Sequence, residues 1–124
     1  MNASTDVPVR IATINEIAGT RLVSTLDVVL GIAVRSRGVG GNIMAGLGAI
    51  GNGNALDDYR DELLSIRQEA LTRMARAAEN LGANAVLCTR FDTAEVGHEM
   101  VEVVAYGTAA IVQGAASSPD REAQ

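Results

Sequence analysis

Cys88, Asp92, Glu95, His98 and Glu99 bring the possible metal donors of this chain into one short stretch. A structural zinc site uses four Cys or His ligands and a catalytic one about three protein ligands beside an open position. No two soft donors stand here at a useful spacing, so a single chain falls short of either arrangement. Repeating His98 and Glu99 around a symmetric ring, with Cys88 as the nearby thiol, would instead assemble a site from several subunits. These three residues are the metal-ligand candidates. The simpler reading makes His98 a solvated loop residue and Cys88 a small core or sheet residue, and it is the favoured one.

Gly46-Leu47-Gly48-Ala49-Ile50-Gly51 matches the spacing of the dinucleotide fingerprint, whose glycines let a pyrophosphate approach a helix N-terminus. That chemistry needs a strand directly before the glycines and a helix directly after them. Here the preceding strand pattern ends near Val34 and Asn52-Gly53-Asn54 follows, so a closely packed glycine-rich loop is the better reading. Asp27 and Glu102 interrupt apolar strand patterns. Crowding against copies of themselves would raise their pKa values or attract a cation, but edge positions with access to water explain both more simply. The single His has no acid and nucleophile in a hydrolase arrangement. No catalytic residue is assigned, and the chain is expected not to be an enzyme.

The 124 residues suffice for one ordinary domain. Hydrophobic residues make up 48% of the chain and aromatic ones only 2%, so the core must be built from Val, Ile, Leu, Ala and Met. The net charge is −5, every basic residue is a scattered Arg, and no aromatic residues interleave them, which argues against nucleic acid. The apolar runs are shorter than the roughly 20 residues that span a bilayer, so no membrane partner is expected. The N-terminus lacks a basic start and apolar run, and the lone Cys88 suits a reducing compartment, so the expected location is cytoplasmic.

Alternation from Arg21 to Val34 predicts a strand whose even positions form a very apolar face, with Gly31 marking a bulge or bend. From Gly38 to Asn54 the recurring glycines predict a loop with a short, weak helix over 42–50. The main helix is expected from Ala55 to Leu81, capped by Asn54 and ended by Gly82, with Asp57, Asp58, Asp61 and Glu62 towards its positive end. Leu56, Leu63, Ile66, Ala70, Met74, Ala77 and Leu81 form its apolar stripe, widened by Leu64, Leu71 and Ala78. A second strand is expected from Asn84 to Phe91, a loop over 93–98, and a third strand from Glu99 to Val112. The segments 1–8 and 113–124 read as disordered tails around a single domain, 9–112.

The last strand is apolar on both faces. Val101, Val103, Ala105, Gly107, Ala109 and Ile111 line one, while Met100, Val104, Tyr106, Ala110 and Val112 line the other. One helix covers one face of a small sheet, so the other predicts burial by another copy of the chain.

Leu81-Gly82-Ala83-Asn84-Ala85-Val86 at the junction of helix and strand, Tyr106-Gly107-Thr108-Ala109-Ala110-Ile111-Val112 near the end, and Ala45-Gly46-Leu47-Gly48-Ala49-Ile50 before the helix resemble the YbjQ-like family of small bacterial proteins. The resemblance covers about Ile14 to Val112. It implies an α+β, dodecin-like β-α-β-β subunit, an antiparallel sheet with one long helix packed on it, assembling into a ring, most often a homopentamer. It also implies binding of a heavy metal, so a divalent metal ion is the cofactor to expect, though the family supplies no ligand motif to map onto these residues. The chain departs from the family at Gly48-Ala49 and Asn52-Gly53-Asn54, where polar and charged residues are usual.

Three functions follow in order of preference. The first is a non-catalytic homo-oligomer holding a metal or small ligand at surfaces shared between subunits. The second is a purely structural or scaffolding oligomer without ligand. The third is a nucleotide-using enzyme acting through the glycine-rich loop.

Overall fold

The computed structural model describes residues 9–36, 53–97 and 100–114. The elements run β1 (Arg10–Ile11), β2 (Thr20–Ser36), α1 (Gly53–Asn80), β3 (Ala85–Val96) and β4 (Met100–Gly114). One helix lies on a four-stranded sheet of order β1-β3-β4-β2. The expected α+β subunit is therefore present. Its three long strands are antiparallel to their neighbours, and the added β1 pairs in parallel with Ala85 and Val86, which makes the sheet mixed.

Alternation along β2 sorts its residues as its pattern predicts. Val29, Gly31 and Ala33 are buried beneath α1, while Val28, Leu30, Ile32 and Val34 point away from it. Gly31 marks neither bulge nor bend. A Cβ there would fall on the Ala70 carbonyl oxygen and the Met74 amide nitrogen, so the missing side chain lets helix backbone rest on strand backbone. The irregularities of β2 lie earlier, between Leu22 and Ser24 and between Thr25 and Asp27.

The core forms where this approach is closest. Ile66, Ala70, Met74 and Ala78, four residues apart, make a ridge against Val29, Ala33, Val86, Val103, Ala105 and Ala109. The stripe read from the helix is therefore split. Its middle, Ile66, Ala70, Met74 and Ala78, is core, whereas Leu56, Leu63 and Leu64 before it and Leu81 after it remain exposed. The helix starts at Gly53, which puts Asn54 inside it and leaves no acid in the first turn.

At the other end Gly82 takes φ +89°, its N–H donates to the Glu79 carbonyl at 2.9 Å, and the Ala83 N–H reaches back to the Ala78 carbonyl at 3.0 Å. This is a Schellman stop with Gly82 at C′, and its apolar contact joins Ala83 to Ala78 within the core. Asn84 then docks β3. Its N–H donates to the Ala110 carbonyl at 3.1 Å, its Nδ2 donates to the Val112 carbonyl at 2.9 Å, and its Oδ1 accepts the Val112 N–H at 2.8 Å. One side chain thereby stands in for a strand residue beside β4, which accounts physically for the Gly82-Ala83-Asn84 sequence.

Residues 93–96, expected in a loop, continue β3 instead, because Thr93 to Val96 pair in register with Val103 to Met100. Gln113 and Gly114, expected in a tail, pair with Arg21 and Thr20 at the end of β4. The expected weak helix over 42–50, the fingerprint-like glycines 46–51, and the rest of both tails lie outside the described residues.

Candidate functional site

The side of the sheet away from α1 can be read row by row from the register. Val28 stands beside Thr108, Leu30 beside Tyr106, Ile32 beside Val104 and Val34 beside Glu102. On the far side of β4, Arg90 lies beside Tyr106, Asp92 beside Val104 and Ala94 beside Glu102. The β2 column is wholly aliphatic, and its four residues are between 42% and 60% exposed. Both faces of β4 are largely apolar, as predicted, with Glu102 and Thr108 the polar interruptions of the open one, and only one face is covered by the helix. Glu102 belongs to this central strand and not to an edge; Asp27 does lie on an edge strand, where its carboxylate accepts the Val28 N–H at 2.7 Å.

One end of the open face is closed by the segment before β2. Ile17 and Ala12 pack over Ala85, Leu87, Ala110 and Val112 in a second, smaller cluster. A tight turn holds this cover, with the Thr20 N–H and hydroxyl both donating to the Ile17 carbonyl, at 3.1 and 2.7 Å, and Gly19 at φ +81°. Residues 12–14 are strapped to β3 by the N–H groups of Cys88 and Thr89, each 3.0 Å from the carbonyls of Ile14 and Ala12, and by Arg90 Nη1 donating to the Thr13 carbonyl at 2.8 Å.

Those bonds originate in a bulge. Leu87 pairs with Thr108 and Arg90 with Tyr106, so Cys88 and Thr89 together oppose Gly107. Cys88 takes φ +57°, a left-handed conformation that β-bulges ordinarily reserve for glycine, and it is exposed. Of the expected core or sheet residue, the sheet alternative holds and the core one is corrected: Cys88 lies within β3 but is exposed, because the extra residue turns the side chain out of the ladder. Thr89 takes the buried place at 3% exposure, beneath the space left by Gly107, and among the described residues its hydroxyl finds no hydrogen-bond partner.

No three of His, Cys, Asp and Glu come together among the described residues. Asp92 lies on the open face, Glu95 pairs with Val101 on the helix side, and His98 and Glu99 lie outside the described residues. The donor set of one chain, so far as it is described, does not fit a heavy-metal centre, because a single exposed thiol is not a coordination shell.

Charged groups concentrate elsewhere. Where β2 meets α1, Arg35 donates to Glu69 at 2.6 Å and to Glu62 at 3.2 Å, and Glu69 also accepts from Arg73 at 3.0 Å. The hydrogen bond from Arg35, followed by that from Arg73, holds the Glu69 carboxyl below the usual carboxylate range, while the Glu69 carboxylate raises Arg35. This network ties helix to strand and contains no nucleophile. Sequence reasoning missed the bulge, whose one visible signal was Gly107 inside an otherwise regular strand.

A long helix stopped by Gly82, a strand docked by Asn84 and a sheet with one bare apolar face define a small helix-on-sheet protein without a recognisable catalytic centre among the described residues. The chain belongs to the YbjQ-like family, whose model, described as "Putative heavy-metal-binding", matches residues 9–113. A UPF0145 protein of Thermoplasma volcanium is 43% identical over 109 residues, 88% of each chain. A UPF0145 protein of Bradyrhizobium is 43% identical over 105 residues, covering 85% of this chain and 94% of its own. The relatives include archaeal proteins, so the family is wider than the bacterial group expected from the sequence. A crystal structure of a DUF74-family protein of unknown function from Pediococcus pentosaceus superposes with a TM-score of 0.54 at 19% identity, covering 83% of this chain and 96% of that one. That likeness supports the fold.

Proposed function

We propose that this protein is a non-catalytic, self-associating binding protein whose copies close over the bare sheet face and hold a metal or small ligand where they meet. The observation that carries the reading is the β2 column of Val28, Leu30, Ile32 and Val34, half exposed and flanked by Val104 and Tyr106. Full burial of such a side chain contributes about 1.5–3 kcal/mol, so roughly 1 kcal/mol remains to be gained at each of the four.

The sheet edges favour the same partner. β2 is an edge strand of 17 residues, long and apolar, of the kind that pairs with another chain unless it is covered. The opposite edge, β3 beyond its two-residue pairing with β1, is of different composition. A contact between unlike edges is heterologous, and heterologous contacts generate rings when the rotation closes. A ring of five, as the family resemblance implies, would repeat Cys88, His98 and Glu99 around its axis, and a metal centre of the kind in the family's description would draw its ligands from more than one copy.

Native mass spectrometry of the purified chain tests this, alone and with Leu30→Glu and Ile32→Asp combined. The reading expects a multiple of the 12.9 kDa subunit mass, a stoichiometric ligand mass retained on it, and dissociation of the double variant into folded monomers. A clean oligomer without added mass would favour the scaffold alternative. A wild-type monomer would defeat the reading altogether.

A further inference from the structure

We infer that self-association over the open sheet face is linked to proton uptake, with Glu102 the group that takes the proton, so that the contact tightens as the pH falls. The inference rests on the reading that copies of this chain cover that face, and it adds what controls the contact.

Glu102 stands on the open side because its neighbours Val101 and Val103 pack towards α1. It lies in the central strand β4, in a row between Val34 of β2 and Ala94 of β3, with Val104 next along the same face. Water at a sheet edge therefore does not account for it. Already half-buried in the single chain, it joins no ion pair or hydrogen bond among the described residues. A copy that covers Val34 and Val104 covers this carboxylate too.

The groups around Glu102 do not favour its ionised form. Asp92, diagonal to it beside Val104, is a second acid on the same face. Arg90, two rows on beside Tyr106, has its Nη1 engaged by the Thr13 and Thr89 carbonyls at 2.8 and 2.9 Å. The β2 column of Val28, Leu30, Ile32 and Val34 adds no charge, and Arg35 and Glu95, both in register with Val101, belong to the helix side. Removing an unpaired carboxylate from water disfavours the charged form, and a like charge nearby acts in the same direction. The associated state thus binds more protons than the separated chains, and acid favours it. A copy that presented a cation to Glu102 would reverse the sign.

Sedimentation of the full chain at about pH 5.5 and about pH 7.5 tests this, with dilution or mild urea bringing the oligomer into its dissociation range. Glu102→Gln is compared with Glu79→Gln, which makes the same change in net charge at an exposed position of α1. The wild type and Glu79→Gln should associate about tenfold more tightly at the lower pH for each Glu102 that the contact covers. Glu102→Gln should associate more tightly than the wild type at the higher pH, by a similar factor, and lose most of the pH dependence. An association constant that ignores pH or weakens in acid, or a pH dependence unchanged in Glu102→Gln, would overturn the proposal and leave self-association standing. A wild type monomeric at both pH values would remove the underlying reading, and this proposal with it.

Discussion

Two missing side chains and one strained residue decide local packing. Gly31 lets the backbone of α1 rest on β2, so Gly31→Ala should push the two elements apart. Overpacking commonly costs 1–3 kcal/mol, and because helix backbone is in the way here, a loss of about 3 kcal/mol or more is expected in denaturant unfolding. Gly114→Ala, with nothing within 4 Å of the new methyl, serves as the neutral control. Equal midpoints for the two variants would contradict the close approach. Gly107 plays a related part, since a Cβ there would stand 2.6 Å from Val86 Cγ1 and 2.9 Å from the Leu87 carbonyl oxygen. Facing it, Cys88 carries the strain of a left-handed φ. Relief of that strain outweighs the extra chain entropy of glycine, so Cys88→Gly should stabilise the fold by up to about 1 kcal/mol, whereas Cys88→Val should destabilise it. Reversal of that order in thermal melts would argue against the bulge.

Element by element, the molecule is organised by how its helix ends and how that end is joined to the sheet. The Schellman stop at Gly82 is local and was legible before folding as a glycine after a long apolar stripe, whereas the Asn84 clamp reaches Val112, 28 residues on, and showed in the sequence only as a polar residue before an apolar run. The strap from Arg35 to Glu62 and Glu69 was not legible, because it joins groups 27 and 34 residues apart. It carries a pH signature. The folded carboxyl of Glu69 titrates below its ordinary value near 4.5, so its contribution to stability is complete above that value and is lost as pH falls through the lowered one. Arg35 stays charged throughout this range. The melting temperature of Arg35→Met should therefore lie below that of the wild type at pH 7, and the gap should narrow on acidification below about pH 4.5. A gap independent of pH would mean that Arg35 contributes by packing alone.

For the whole molecule, the question is what covers the sheet. The aliphatic β2 column and the two-faced β4 lie together on one side, and a chain that buries them against copies of itself couples folding to association. Its melting temperature should rise with protein concentration, and that dependence should vanish in the Leu30→Glu, Ile32→Asp double variant. A melting temperature independent of concentration in the wild type, over a range that spans the dissociation of any oligomer, would count against self-association. The bare face was foreseen because strand periodicity is exact at two residues: once Val103 and Ala105 are inside, Val104 and Tyr106 must be outside.

What the residues determined by themselves is what depends on near neighbours: a long helix ended by Gly82, strand alternation in β2 and β4, and an apolar surplus that one helix cannot cover. Bulge positions were beyond that reach. Nothing local distinguishes Cys88 from the apolar residues before it, and only its pairing opposite Gly107 sets two residues against one and turns the thiol out of the ladder. The same holds for the helix stripe, whose leucines at 56, 63 and 64 share its period but remain exposed. Gly31 fixes where helix touches strand, and that contact favours the ridge from Ile66 to Ala78. Periodicity assigns a residue to a face; only the tertiary contact decides how much of that face is buried.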